Sequence, residues 1–207
     1  MTPPTQERAQ RTREALLWAA AEEFDAHGYA GAGITRILKR AGVTAGALYF
    51  HFGSKQGLAD AVVAAQARTI VPRIGSDGLQ RLVDITLVWA WQLQSDPLLR
   101  AGVRLAVEQG GQGGQDPSSF HSWKVLMEEC LHAADRRGEL REGVDPERVA
   151  TFVVGACTGV QLYGQLRNGR KDLAEQVVHM WQLLLPGVAA PGKLARFDLD
   201  VRRGMGG

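Results

Sequence analysis

Thr44, Tyr49, His51 and Lys55 place two hydroxyls, an imidazole and an ammonium close together in the string GVTAGALYFHFGSK. This set suits hydrogen bonding to phosphate oxygens and base edges rather than bond cleavage. Gly46, beside Ala45, leaves room for a backbone to approach closely. The rest of the chain offers no catalytic constellation. His27, His51, His121, His132 and His179 are dispersed, and Cys130 and His132, two residues apart, point in different directions on a helix. No nucleophile elbow, zinc-protease pair or dinucleotide fingerprint is present, so the reading expects no enzyme, no metal and no cofactor.

The elements that must position these residues are two short helices. Ile34, Ile37 and Leu38 recur at helical spacing and would face a small core. Gly42 can end that helix in the left-handed conformation, and Thr44 can cap the next through its hydroxyl. A following helix that opens Ala45-Gly46-Ala47 has poor intrinsic propensity, which makes sense if it presses on something. This is a helix-turn-helix, whose second helix enters the major groove. Tyr49 is read as facing DNA, with His51 and Lys55 as phosphate-backbone contacts, while Phe50 and Phe52 are read as core aromatics.

Periodicity is helical nearly throughout. A first helix runs from about Gln6 to Ala26 and ends at His27-Gly28. Ser54 can cap a helix from Lys55, with Leu58, Ala61, Val62 and Ala65 inward, that Pro72 and Gly75 break. Helices follow from Leu79 to Leu93, from Asp96-Pro97 to about Glu108, and from Phe120 to Arg137. Two more run from Asp145-Pro146 to about Arg167 and from Asp172 to Leu185, the last stopped by Pro186-Gly187. The glycine-rich run from Gly110 to Ser119 reads as a solvated linker.

The 207 residues carry a formal charge of +2, and residues 1–60 hold seven Lys/Arg against six Asp/Glu, so bulk charge does not itself point to nucleic acid. Cys130 and Cys157 lie in apolar runs and read as buried free thiols. MTPPTQERAQRTRE lacks the apolar stretch of a signal peptide, which leads to a cytoplasmic expectation. Val149 to Leu166 is uncharged but interrupted by Thr151, Thr158, Gln161, Gln165 and three glycines. It reads as a buried core helix rather than a membrane span.

The carboxy-terminal helices bring Trp89, Trp91, Phe120, Trp123 and Trp181 together with Thr158, Gln161 and Tyr163. Mostly apolar walls with a few polar anchors describe a small-molecule cavity; a plain aromatic core would use the same residues. Val149–Leu166 has no acidic residue and the helix through Trp89 has only Asp84, so a cation would find few carboxylates. That favours a neutral or weakly acidic ligand.

The string GVTAGALYFHFGSKQGLADAV, preceded by RTREALLWAAAEEFDAHGYAGAGITRIL, resembles the DNA-binding segment of TetR-family transcriptional regulators. LLRAGVRLA, from Leu98 to Ala106, and Ser122-Trp123 resemble one branch, the γ-butyrolactone-type autoregulator receptors of actinomycetes. The resemblance implies an all-α chain, with a helix-turn-helix DNA-binding domain over residues 1–53 and a ligand-binding and dimerisation domain over 54–207. It implies a homodimeric repressor on palindromic double-stranded operator DNA, released by a small-molecule inducer of lactone, butenolide or furan type and controlling secondary metabolism, with no membrane partner. The DNA contacts would be Arg36, Thr44, Ala45, Gly46, Tyr49, His51 and Lys55. Trp123 matches a tryptophan lining the branch's pocket, Thr158 a threonine that bonds the ring, and Gln66 a polar residue at the pocket's mouth; Trp89 and Gln161 complete the expected ligand set. Receptors of this branch often carry a lysine where this chain has Ala45; either Arg36, Lys39, Arg40 or the arm residues Arg8 and Arg11 compensate for that loss, or the operator differs. The last two long helices would form a four-helix interface, and ligand binding would tilt the Lys55 helix against a half-site spacing of roughly 34 Å. A regulator of a drug exporter with a broad pocket and a small helical enzyme are the alternatives.

Overall fold

In the computed structural model, residues 4–66, 75–109 and 118–205 are described. Among them lie nine α-helices: α1 (Pro4–Gly31), α2 (Ile34–Ala41), α3 (Ala45–Phe52), α4 (Lys55–Gln66), α5 (Gly78–Ser95), α6 (Pro97–Gln109), α7 (Ser118–Arg136), α8 (Pro146–Asn168) and α9 (Leu173–Val188). Two 3-10 turns, Leu194–Arg196 and Val201–Gly204, follow, and one antiparallel bridge joins Leu140 to Ala189. The expected all-α class stands. Pro72 and most of the Gly110–Ser119 linker lie outside the described residues.

Packing divides the chain into two units, α1–α4 with α6, and α5 with α7–α9 and the carboxy-terminal segment. The first unit's core does not end at residue 53. Leu58, Ala59, Val62 and Val63 of α4 are buried in one cluster with Leu16, Ala20 and Phe24 of α1, and Leu98, Ala101 and Leu105 of α6 join them. Ala61 and Ala65, expected inward, are only partly covered. Ile37 and Leu48 are the fully buried anchors of α2 and α3. Gly42 ends α2 at φ 66°, ψ 32°, where a Cβ would be strained. The expected Thr44 cap is not made: Thr44 is extended, but its hydroxyl does not bond the α3 amides. Ser54 does cap α4, its Oγ accepting from the Gly57 N–H at 3.0 Å.

In the second unit, α5 packs on α9, α9 on α8, and the last 3-10 turn on α5. Trp181 is fully buried, with its indole N–H donating to Thr86 Oγ1 at 2.8 Å, so it is a core residue rather than pocket wall. Pro186 does not stop α9, which continues to Val188. The Arg141 N–H and guanidinium bond the carbonyls of Val188 and Pro186 at 2.9 Å, supporting a last turn that the proline alone would fray. Both cysteines are free and buried; burial pushes the Cys130 thiol up to about 11 and the Cys157 thiol to about 12. The helix that carries the uncharged Val149–Leu166 stretch, α8, is not wholly buried. Ala150, Val153, Cys157, Gln161 and Gly164 form its inward row, while Phe152, Leu162, Tyr163 and Leu166 are exposed.

Candidate DNA-reading helix and ligand residues

With only Leu48 fully buried, α3 turns its amino-terminal end and the Tyr49–Phe50 pair outward. Thr44, Ala45 and Gly46 are exposed at its amino-terminal end, and Tyr49 is 55% and Phe50 82% exposed. Phe50 is therefore not a core residue. Consecutive positions on a helix are 100° apart, so with Leu48 inward both Tyr49 and Phe50 cannot follow it. Phe50 is thus legible from the sequence as an outward residue. Phe52, half-buried, stays with the core and lies under the Arg13 guanidinium, 5.2 Å from its ring centre. His51, also half-buried, meets Phe50 edge-on with ring centres 5.0 Å apart. A Cβ added at Gly46 would touch only Thr44 Oγ1, at 3.8 Å, so the protein itself does not require a glycine there.

Two residues expected at the DNA also have partners within the unit. The Lys55 ammonium donates to the Ala32 carbonyl at 2.6 Å and lies 4.8 Å above the Tyr29 ring. A carbonyl and an aromatic face together hold the ammonium against its own unit. Arg36 bonds the Glu23 carboxylate and donates to the Gly31 carbonyl at 2.6 Å. Burial raises the Glu23 pKa, but the Arg36 bond and the Gly33 N–H outweigh it and keep the carboxyl below its ordinary range. Arg40 pairs with Glu22. Arg36 and Arg40, two of the residues expected to compensate for Ala45, are thus engaged by the acidic cluster of α1. Lys39 is exposed and makes no ion pair among the described residues.

The expected ligand residues divide between the units. Gln66 is fully buried in the first, and a Cβ at Gly102 of α6 would come within 2.7 Å of its Oε1. In the second, Trp89 on α5 is 7% and Trp123 on α7 is 9% exposed. Met127, Cys130 and Ala134 continue the Trp123 stripe, as its spacing predicts. Thr158 is half-buried, its hydroxyl donating back to the Val154 carbonyl at 2.8 Å. Gln161 is buried, but its Oε1 accepts from Arg170 Nε at 3.0 Å. Arg170 has a left-handed backbone (φ 65°) after the Gly169 cap, so the Gln161 carbonyl oxygen braces the end of α8.

Asp84, the acid of α5, is 4% exposed. Arg203 forks onto it with bonds of 2.7 and 2.8 Å, and Ser76 Oγ and Gln80 Nε2 donate at 2.6 and 2.8 Å. Burial raises its pKa, but these donors outweigh it and hold the carboxyl below its ordinary value. Its charge is spent within the fold.

Residues 16–62 match the bacterial regulatory proteins of the tetR family, and residues 76–190 match the tetracyclin repressor-like carboxy-terminal domain. The chain is 40% identical to the A-factor receptor protein of Streptomyces griseus over 197 residues, covering 95% of this chain and 71% of the relative. It is similar to the crystal structure of TylP, a TetR regulator from Streptomyces fradiae, at 39% identity and a TM-score of 0.86 over 96% of each chain. It is also similar to a γ-butyrolactone receptor, an ArpA-like protein, at 30% identity and a TM-score of 0.71 over 96% of each chain. With an outward-facing second helix in a helix-turn-helix, matched by family over both units and by a relative along nearly its whole length, this chain belongs to the TetR family of regulatory proteins.

Proposed function

We propose that the chain is a dimeric, cytoplasmic transcriptional repressor that reads a palindromic operator through α3 and is released by a neutral or weakly acidic lactone, butenolide or furan, controlling secondary metabolism. The observation that carries the reading is the outward row of α3. Thr44, Ala45, Gly46, Tyr49 and Phe50 form a small-then-aromatic surface with no fold-stabilising task. Thr44 and Tyr49 supply hydroxyls for phosphate or base edges, Gly46 allows close approach, and Phe50 supplies an apolar face for a thymine methyl. His51 sits at the edge of this surface.

The inducer reading rests on similarity to the A-factor receptor and the γ-butyrolactone receptor, and on charge. Asp84 is neutralised by Arg203 and the Val149–Leu166 stretch of α8 brings no carboxylate, so a cationic drug meets no free acid along that stretch or at Asp84. Trp89, Trp123 and Thr158 are the ligand residues we retain. The exposed Phe152, Leu162, Tyr163 and Leu166 of α8 and Leu183 of α9 form the self-association face; α8 is long and apolar enough to cross a membrane, but its apolar exposure fits a second copy.

The test selects a duplex from random DNA with the purified chain, then challenges the complex with a γ-butyrolactone series and with cationic dyes. Release by lactones at micromolar concentration is expected. Release by several unlike cations and by no lactone would establish the exporter-regulator reading instead.

A further inference from the structure

One charged row on α6, Arg100, Arg104 and Glu108, spaced four apart, points at the break in the last turns of α1. Arg100 Nε bonds Asp25 Oδ2 at 2.7 Å. Arg104 donates from Nη1 to the Asp25 carbonyl at 2.7 Å and from Nε to Glu108 Oε1 at 2.8 Å. Glu108 Oε2 in turn accepts from the Tyr29 backbone N–H at 2.8 Å. The helical path breaks at Gly28, whose φ is 68° and ψ 179°. A Cβ there would lie 2.5 Å from Glu108 Oε1 and 2.8 Å from Arg104 Nη2, so glycine is required both for the backbone and for the approach of the row.

The arrangement answers two physical needs. A guanidinium at the carboxy-terminal end of α1 meets the negative end of its dipole. The Tyr29 N–H, which loses a helical partner at the break, receives a carboxylate instead. From Tyr29 the contacts run on. Its ring stacks on Phe24 at 6.1 Å and lies beneath Lys55, which also bonds the Ala32 carbonyl. Lys55 opens α4, three residues after α3 ends at Phe52. A continuous set of contacts therefore joins α6 to the end of the DNA-reading helix, all within one unit. Asp96 alone separates α6 from α5 along the chain, so α6 is the helix of this unit to which α5 is most directly tethered.

We infer that Arg104 and Glu108 are positioning residues for DNA recognition: by clasping the Gly28 turn they fix Tyr29 and Lys55, and through them the orientation of α3. The inference rests on α3 being the reading helix. The clasp contributes little to phosphate attraction, since its charges are paired with one another. Its loss should cost discrimination between sequences while sparing non-specific affinity.

The test uses the full-length chain, a palindromic duplex selected by the wild-type protein from random DNA, and a scrambled duplex of equal length. Glu108→Gln keeps the shape of the side chain and an acceptor for Tyr29 but removes the charge that holds Arg104. Arg104→Met keeps the stem and removes the donors, and Arg104→Lys restores one. Anisotropy at fixed salt should show Arg104→Met losing about tenfold on the selected duplex, the scale of one misplaced base contact. Affinity for the scrambled duplex should stay within about twofold, because phosphate attraction dominates there. Arg104→Lys should recover part of the loss, and Glu108→Gln should fall between. Wild-type affinity of both Arg104→Met and Glu108→Gln for the selected duplex would overturn the inference. So would a parallel loss on both duplexes together with a lowered melting temperature, which marks the clasp as a fold element only. Phe50→Ala is the control for the underlying reading: if it leaves discrimination intact, α3 is not the reading helix and the failure lies there.

Discussion

Replacing Phe50 by alanine separates two accounts of α3. If Phe50 were a core aromatic, truncation would cost about 3–5 kcal/mol of stability. That would lower the melting temperature by roughly 6–20 °C for a chain of this size. The ring is 82% exposed, so its removal from the free protein should change stability by no more than about 0.5 kcal/mol. Its contribution appears only on DNA. A phenylalanine that becomes covered removes about 150 Å² or more from water, worth up to about 4 kcal/mol at 25 cal/mol/Å². The covering is one-sided and orders the side chain, so roughly 1–2 kcal/mol per half-site is the expected share, within the range of a good base contact. With two copies per dimer the operator affinity should fall by about 30- to 1,000-fold. Fluorescence anisotropy on the selected duplex, with thermal melting of the same preparation at equal protein concentration, measures both quantities. Unchanged operator affinity, or a melting temperature lowered by more than about 5 °C, would refute the reasoning.

Tyr49→Phe removes one hydroxyl and should weaken operator binding by about 0.5–1.5 kcal/mol per contact without altering melting; equal affinity at matched salt would remove Tyr49 from the interface. Trp123→Ala should leave operator binding intact but abolish release by lactone, since packing and an N–H donor leave together; release at the wild-type inducer concentration would make Trp123 ordinary core. Leu166, 80% exposed on α8, should tolerate a charge in the monomer but not in the dimer, so Leu166→Glu should sediment near 22.4 kDa where the wild type sediments at twice that mass; an intact dimer would move the interface elsewhere. Arg203→Met strips the buried Asp84 of its fork. Removing one partner of a buried pair costs about 3–5 kcal/mol, reduced here to about 2–3 because the Arg203 side chain is one-third exposed, which amounts to roughly 5–10 °C of melting temperature. Asp84's native pKa lies below its ordinary value of 3.8, so the stability it contributes is full above pH 3.8 and is lost as pH falls through the lower native value; a wild-type–variant gap that persists unchanged in acid would contradict this.

Helical periodicity, the Gly42 cap and the Ser54 cap were legible in the sequence because each depends on near neighbours. The apolar stripe of Trp123, Met127, Cys130 and Ala134 was legible for the same reason, since burial at helical spacing leaves its mark on every turn. The family was legible too, because the turn and the Tyr49–Phe52 run are contiguous in the chain. Partnership was not. Lys55 and Arg36 carry the charge that a DNA contact needs, and only the fold brings the Ala32 carbonyl, the Tyr29 ring and Glu23 to them. Gln161 has the chemistry of a ligand anchor, and only the left-handed turn at Arg170 gives it a structural partner. Phe50 has the composition of a core residue, yet Leu48 already takes the inward direction of a helix two turns long. The α6 row is invisible in the sequence because Asp25 and Arg104 lie far apart along the chain. A side chain's type states what it can bond, but which partner it reaches depends on distances that only tertiary packing sets.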